Sequence, residues 1–181
     1  MRVITGTARG MKLQTLDGLA TRPTAEKVKE AVFSAIQFEL EGRRFLDLFA
    51  GSGQMGIEAL SRGAVTATFV EQSPQAVKVI RANLEHTRFT DQANIRAMSA
   101  EDYLKRCRDR FEVIWMDPPY HENLLESLLT RISEIDILSE GGIIICERPV
   151  ELELPDAFPA FTKAKDYRYG KTGVTLYRAG V

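Results

Sequence analysis

The tetrapeptide Asp117-Pro118-Pro119-Tyr120 combines residue types that could hold a flat nucleobase, and it directly follows the apolar run 113–116. Proline has no N–H donor, so the carbonyl groups of this turn stay available as acceptors for another molecule. Asp117 adds a carboxylate and Tyr120 adds an aromatic face for stacking. The pattern predicts a site that grips the exocyclic amine of a base while a methyl group is delivered to its nitrogen. A Pro-Pro pair also ends strands without any such role.

A glycine-rich segment upstream has the spacing of a nucleotide-binding loop. Gly51-x-Gly53-x-x-Gly56 follows a short apolar strand containing Asp47 and precedes an apolar helical pattern, the context in which this spacing indicates nucleotide binding. Glycine lets the backbone approach a ligand, and a helix N-terminus offers unpaired N–H groups. Glu71 ends the next predicted strand, where an acid can accept hydrogen bonds from ribose hydroxyls. The spacing fits NAD and S-adenosylmethionine equally well.

The composition limits the class of protein. A chain of 181 residues with 44% hydrophobic content suffices for one α/β domain and a short extension, but leaves little chain for the substrate domain of a dehydrogenase. The net charge of −1 provides no overall basic field. Segments 1–25 and 163–181 are nevertheless locally basic, and together they could form a rim that binds phosphates.

The cysteine and histidine positions do not indicate a metal site. Cys107 and Cys146 form no C-x-x-C pair, and neither His86 nor His121 stands at ligand-like spacing from them. The first residues lack the apolar segment of a signal peptide, and no run approaches the length of a membrane helix. We therefore expect a cytoplasmic protein, with monomer as the default state.

Strands alternate with helices along most of the chain, which predicts a parallel sheet covered on both faces. The last 25 residues instead predict an antiparallel β-hairpin, with strands 161–169 and 174–178 around the turn 170–173. Residues 2–5 and 11–16 are expected to form an N-terminal β-hairpin, and Thr24 to cap the following helix. We predict a single domain over 1–181, with an N-terminal extension at 1–40 and a catalytic core at 41–181.

Four motifs follow one another along the chain: Thr21-Arg22-Pro23-Thr24 with the segment 29–33, the segment 46–53, Met116-Asp117-Pro118-Pro119-Tyr120, and Tyr169-Gly170-Lys171-Thr172. In this order they resemble the motifs of one family, the bacterial enzymes that methylate N2 of a guanine in 16S ribosomal RNA. The glycine loop and the Asp-Pro-Pro-Tyr pattern are shared with many amino-methyltransferases. The Arg-Pro-Thr entry to the first helix narrows the resemblance to this family.

The resemblance implies a Rossmann-like S-adenosylmethionine-dependent methyltransferase, with a seven-stranded, mostly parallel sheet and a C-terminal antiparallel hairpin. Its partner would be 16S rRNA in an assembled or partly assembled small ribosomal subunit. The residues implied for the cofactor are Asp47, Gly51, Ser52, Gly53 and Glu71. Those implied for the target base are Asp117, the Pro118 carbonyl and Tyr120. Arg22 and Thr24 would cover the cofactor and face RNA, and Lys171 could meet a phosphate.

One position departs from the family pattern. The family usually has an aspartate after the third strand that meets the adenine amine, whereas the aligned residue here is Ala100. Ser99 or Glu101 could take that role.

Three alternatives remain open from the sequence. An adenine-N6 DNA methyltransferase can use the same tetrapeptide, although the chain has no separate target-recognition region. An NAD-linked oxidoreductase would explain the glycine loop and Glu71, but no His–Asp or Tyr–Lys arrangement accompanies them. A cofactor-binding module without activity is the third.

Overall fold

The structure is a computed structural model that describes residues 1–16, 23–119 and 123–180. The helices are α1 Pro23–Ala35, α2 Gln54–Ser61, α3 Pro74–Thr87, α4 Ala100–Arg106 and α5 Leu124–Ile135. The strands are β1 Arg44–Asp47, β2 Thr66–Val70, β3 Ala93–Arg96, β4 Phe111–Met116, β5 Leu138–Pro149, β6 Ala157–Phe158, β7 Phe161–Tyr169 and β8 Thr172–Ala179.

All eight strands form one sheet in the order β3-β2-β1-β4-β5-β8-β7-β6. The strands β1 to β5 pair in parallel, while β8 pairs antiparallel with both β5 and β7. The chain runs outward from β1 to β3 and then returns to place β4 on the other side of β1. Open α/β sheets bind ligands outside the carboxyl ends of their strands at such a reversal. The carboxyl ends of β1, β2 and β4 are therefore where a site is expected.

The predicted fold class is confirmed, with two differences in detail. The sheet has eight strands and not seven, because the two-residue β6 pairs with the edge of β7. The N-terminal hairpin is reduced to one antiparallel bridge between Arg2 and Lys12. The backbone amides of this segment donate partly to its own carbonyls, as from Val3 N to the Met11 carbonyl, and partly to Glu58 and Ser61 of α2. Regular strands are therefore not needed to satisfy it.

Two apolar cores sandwich the sheet. One contains residues of α1, α2 and α3 together with the side chains of β1, β4 and β5 on that face. The other is built on α4 and α5 against the opposite face. All of the segment 113–116 is buried, as its continuous apolar run predicts for a central parallel strand. None of the helices in the described ranges combines the length and apolarity needed to span a membrane.

The helix α2 packs tightly on β2 because its first turn contains the third glycine of the loop motif, Gly56. A Cβ atom at Gly56 would lie 2.3 Å from the ring of Phe69, well inside any real contact. This glycine therefore serves packing of helix on strand. The first helix also differs from its predicted start, since α1 begins at Pro23 and Thr24 lies inside it. Proline fits the first turn of a helix, where its missing N–H would be unpaired in any case.

A fully buried acid in α2 anchors the N-terminal segment. The Glu58 carboxylate accepts hydrogen bonds from the backbone amides of Ile4 at 2.9 Å and Thr5 at 3.0 Å. It also accepts one from Arg62 Nε at 2.9 Å and lies 3.5 Å from Lys29 Nζ. Burial lowers the pKa of Lys29, and the neighbouring carboxylate opposes that shift. The segment 2–5 is thereby fixed to the helix that follows the glycine loop.

Candidate active site

A cavity of about 400 Å³ opens at the carboxyl ends of β1, β2 and β4. Five residues predicted from the sequence line it, namely Gly51, Glu71, Ser99, Glu101 and Asp117. Pro119 of the predicted tetrapeptide also lines it, and apolar side chains that the sequence analysis did not single out complete the wall, among them Phe49, Val70, Met98 and Leu124. The cavity thus brings together the glycine loop and the Asp-Pro-Pro segment, which are more than 60 residues apart in the chain.

The glycine loop turns sharply between β1 and α2. Gly51 and Gly53 both adopt left-handed backbone conformations, with φ of 55° and 82°, which glycine adopts without strain. The loop is held at its base by hydrogen bonds from Ala50 N to the Val70 carbonyl at 3.0 Å and from Gly53 N to the Ala50 carbonyl at 2.7 Å. Open space lies where a Cβ of Gly51 would project, so a ligand can approach the backbone there.

Glu71 fixes this loop from the end of β2. Its carboxylate accepts hydrogen bonds from Gly51 N at 2.9 Å and from Ser73 N at 2.8 Å, one at each oxygen. A carboxylate has about four lone-pair positions, so each oxygen can still accept a hydroxyl donor from the cavity. The geometry is compatible with the predicted contact to ribose hydroxyls.

Asp47 lies beneath the cavity at the end of β1, where only 1% of it is exposed. Burial raises the pKa of Asp47 to about 8, and the carboxylates of Asp117 and Glu71 add to the rise. The amides of Phe49 and Gly56 face the carboxyl and partly offset the shift. None of the described groups completes a hydrogen bond to either of its oxygens. A buried polar group without a hydrogen-bond partner lowers the stability of a protein, so we infer that Asp47 serves the site and not the fold.

The Asp47→Asn variant is expected to become more stable relative to the parent protein as the pH rises from 5 to 8. The folded pKa of about 8 exceeds the ordinary value of 3.8, so folding takes up a proton within this window and the parent loses stability as pH rises through it. Asparagine does not titrate. We expect the difference in melting temperature between the two ligand-free proteins to change by at least about 3 °C.

Thermal unfolding of both proteins at pH 5 and pH 8 measures this effect. The control is Asp91→Asn, because Asp91 is exposed. A difference between Asp47→Asn and parent that is the same at both pH values would contradict the assignment of a buried, protonated Asp47.

Asp117 and Pro118 form the turn that leaves β4. Solvent reaches Asp117, yet the protein atoms around its carboxyl raise the pKa of Asp117 to about 6. Both facts describe a carboxyl in a concavity that water still enters. Pro118 is buried, and none of the described backbone amides donates to its carbonyl. Two acceptors therefore stand on consecutive residues, and Asp117 lines the cavity.

A second carboxyl group, which the sequence analysis missed, lies beside Asp117. The strands β4 and β5 pair in parallel up to Met116 and Cys146, so Asp117 and Glu147 follow that pair on neighbouring strands. Burial, and secondly the Asp117 carboxylate, raises the pKa of Glu147 to about 8. The signal available in the sequence was an acid directly after a buried apolar run, the same signal that identified Glu71.

The remaining predicted residues have mixed outcomes. The Ser99 hydroxyl caps α4 by accepting a hydrogen bond from Asp102 N at 3.1 Å, and Ala100 is buried in the cavity wall. Ser52 lies in the loop, where its carbonyl accepts from Asn83 Nδ2 at 2.9 Å. Lys171 is exposed in the turn between β7 and β8 and is not part of the cavity wall. Three predictions, for Tyr120, Arg22 and the side chain of Thr24, lie outside the described residues.

The residues of the cavity fit S-adenosylmethionine. Its sulfonium is cationic, and the carboxyl groups of Asp47, Glu71 and Asp117 influence one another across this region, which favours a positive charge among them. Apolar walls at Val70 and Met98 suit a flat purine. Gly51 leaves space for close approach of the ligand to the backbone. The buried carboxyl of Asp47, which has no described partner, is the observation that most requires such a group.

Comparisons with known proteins agree with this geometry. The profile of the family described as Conserved hypothetical protein 95 matches residues 1–178. YlbH of Bacillus subtilis, named as a candidate rRNA methyltransferase, is 41% identical over 98% of this chain and 98% of its own. Ribosomal RNA small subunit methyltransferase D of Haemophilus influenzae is 34% identical over 98% of this chain and 93% of its own. A solved Escherichia coli structure, the candidate methyltransferase yhhF, superimposes with a TM-score of 0.90 at 30% identity, covering 99% of this chain and 98% of that one. The chain therefore belongs to this family of S-adenosylmethionine-dependent rRNA methyltransferases, the one described as Conserved hypothetical protein 95.

Proposed function

We propose that the protein transfers the methyl group of S-adenosylmethionine to the exocyclic N2 amine of one guanine in 16S rRNA, within an assembled or partly assembled small subunit. The observation that carries this proposal is the pair of acceptors at the end of β4. Asp117 lines the same cavity as Gly51 of the glycine loop and Glu71, and Pro118, whose carbonyl accepts from none of the described backbone amides, is the next residue in the chain. The name of the Haemophilus influenzae relative, a small-subunit rRNA methyltransferase, supports the choice of RNA.

The two acceptors can hold both N–H bonds of an amine. The lone pair of the guanine amine is delocalised into the ring, which makes it a weak nucleophile. With its pKa of about 6, Asp117 is mostly ionised at neutral pH and accepts one N–H, while the Pro118 carbonyl accepts the other. This arrangement biases the nitrogen towards tetrahedral geometry and directs its lone pair into the cavity. Alignment of this kind can supply effective molarities of about 10⁵–10⁸ M.

S-adenosylmethionine, held at the glycine loop and Glu71, would supply a methyl group on a positively charged sulfur. The nitrogen–carbon bond would form as the carbon–sulfur bond breaks, a neutral thioether would leave, and the amine nitrogen would become acidic. Asp117 then takes the proton, directly or through one water molecule. No strong base is needed before attack, which agrees with the modestly raised pKa of Asp117.

The other cavity residues have proposed binding roles. Glu71 would hold the ribose hydroxyls with the lone pairs that Gly51 N and Ser73 N leave unused. Glu101, exposed in the first turn of α4 and part of the cavity wall, or the Ser99 hydroxyl would meet the adenine amine in place of the missing aspartate.

Basic side chains near the C-terminus support contact with RNA phosphates. Lys165, Arg168 and Lys171 are exposed and form no ion pair among the described residues. By contrast, Lys163 pairs with Asp156, and Arg178 pairs with Glu39. The predicted basic rim therefore has fewer cationic side chains free to bind phosphate than the number of lysines and arginines in segment 163–181 suggests. Recognition would rest largely on the shape of the assembled particle.

The test is a methyl-transfer assay with labelled S-adenosylmethionine on three substrates. These are small-subunit particles from cells lacking the enzyme, protein-free 16S rRNA and duplex DNA. Mass spectrometry of the digested product identifies the methylated nucleotide. We expect N2-methylguanine at one position, with the highest rate on the particles. Label in DNA as N6-methyladenine would establish the rival activity and refute this proposal.

A further inference from the structure

Glu147 is an acid of the sheet that has no described cationic partner although it is partly buried. Several other acids of the fold are paired with arginine, namely Glu39 with Arg178, Glu112 with Arg44, and Asp166 with Arg148. No hydrogen bond or ion pair to the carboxyl of Glu147 occurs among the described residues. An acid kept without a partner at the carboxyl end of a parallel strand, next to a candidate catalytic residue, is available to a ligand.

Its neighbours form a row across the sheet edge. Asp117 lies on one side of Glu147, and Val174 of β8 is its partner on the other side. Beyond Val174 lies Tyr167 of β7, whose ring stacks on that of Tyr169 with centroids 6.2 Å apart and an interplanar angle of 23°. A carboxyl pair bordered by an apolar residue and an aromatic stack is suited to a flat molecule with polar edges.

Asp117 and Glu147 follow a paired position on neighbouring strands. Burial raises the pKa of Asp117 to about 6, and burial together with the Asp117 charge raises the pKa of Glu147 to about 8, so Glu147 is the one of the two that holds a proton more readily at neutral pH. Asp117 is then an acceptor only. Glu147 offers one acceptor, its C=O, and one donor, its O–H.

This donor and acceptor pattern matches one base. Starting from the exocyclic amine, the Watson–Crick edge of guanine presents N2–H, then N1–H, then the O6 acceptor. In adenine and cytosine, the ring nitrogen next to the exocyclic amine carries no hydrogen and is an acceptor, where guanine has the N1–H donor. Enzymes that act on an extruded base read it through this edge. An acceptor beside the amine site, followed by a donor, therefore selects guanine.

We propose that Glu147 is the residue that selects guanine, by accepting a hydrogen bond from N1–H and donating one to O6 while Asp117 and the Pro118 carbonyl hold the amine. This inference rests on the proposed function, because it assumes that N2 of guanine is the methylated atom. Glu147 contacts the substrate base but exchanges no proton with it during transfer. The base would bind with its edge along the carboxyl ends of β4 and β5, and the tyrosine pair lies further along the same row.

The test compares guanine with 2-aminopurine at the mapped target position of reconstituted small-subunit particles. The analogue keeps the 2-amino group but lacks N1–H and O6. The parent enzyme is expected to prefer guanine by at least about 10-fold in kcat/KM, as for a bidentate base contact. Glu147→Ala should lose about 10- to 100-fold on guanine and little on 2-aminopurine, so its preference falls close to 1. Glu147→Gln offers the same acceptor and donor and should keep the parent preference.

Controls separate recognition from folding. Glu140→Gln lies on the same strand at its other end and is exposed, so it should behave as the parent. Binding of S-adenosylhomocysteine, measured by calorimetry, should be unchanged in all three variants. An Ala variant that keeps the guanine preference, or a Gln variant that loses it, would overturn the role of Glu147. Methylation of another base by the parent enzyme would overturn the proposed function first, and this inference with it.

Discussion

Asp117→Ala is expected to bind S-adenosylmethionine with nearly parental affinity and to lose about 10²–10⁴-fold in kcat on its RNA substrate. The carboxylate has two roles in the proposed mechanism, as the acceptor that orients the amine and as the group that removes its proton. Both act at the reacting nitrogen and not at the cofactor. The loss should therefore appear in kcat while cofactor binding remains.

Calorimetry with S-adenosylhomocysteine and single-turnover methyl transfer separate these two effects. Asp91→Ala is the matched control, since Asp91 is exposed and outside the cavity. Asp117→Asn is a useful second variant, because its amide oxygen can still accept an N–H but cannot take the proton. A rate for Asp117→Ala within a few-fold of the parent would disprove the mechanism. Loss of cofactor binding together with activity would instead assign Asp117 to the cofactor site.

Glu58→Ala is expected to destabilise the protein by about 3–5 kcal/mol, the usual cost of removing one partner from a buried ion pair. Glu58 is fully buried, and only 2% of the Lys29 side chain is exposed, so the alanine variant would leave a buried cation without its compensating charge. The amides of Ile4 and Thr5 would lose their acceptor at the same time.

Denaturant unfolding measures the change in free energy, with Glu85→Ala as the control. Glu85 is exposed on α3, where a substitution is expected to stay within about 0.5 kcal/mol. Hydrogen exchange gives a local test, because the amides of Ile4 and Thr5 should exchange faster in Glu58→Ala even under native conditions. Unchanged stability together with unchanged protection of these amides would show that Glu58 does not anchor the segment.

These two substitutions act on different levels of the molecule. Asp117 lies at the cavity and solvent reaches it. Its substitution should therefore change the stability of the fold little. Glu58 lies on α2, outside the cavity wall, and its effect on activity would come only through the position of the N-terminal segment. Methyl transfer by Glu58→Ala under conditions where it is fully folded should therefore stay much closer to the parent than that of Asp117→Ala.

The sequence by itself determined the fold class and several of the residues that line the cavity. The Gly51-x-Gly53-x-x-Gly56 spacing, the acid at the end of β2 and the run before Asp117 are local signals, because each depends on residues a few positions apart within one strand–turn–helix unit. Such units form largely from their own periodicity and turn residues. The C-terminal antiparallel hairpin was also predicted from a local signal, because the turn residues Gly170 and Lys171 lie between its two strands.

Only the tertiary structure decided which carboxyl groups meet. Glu147 lies 30 residues after Asp117, and their proximity exists because β5 pairs with β4 in a particular register. Asp47 reads as one polar residue in an apolar strand, and only the packing of α2 and the glycine loop shows that it is fully buried without a described partner. The N-terminal segment was predicted as a hairpin because its alternation is local, whereas its backbone is satisfied partly within the segment and partly by Glu58 and Ser61 of α2. Ionisation and hydrogen bonding depend on distances between elements, and a linear pattern does not contain those distances.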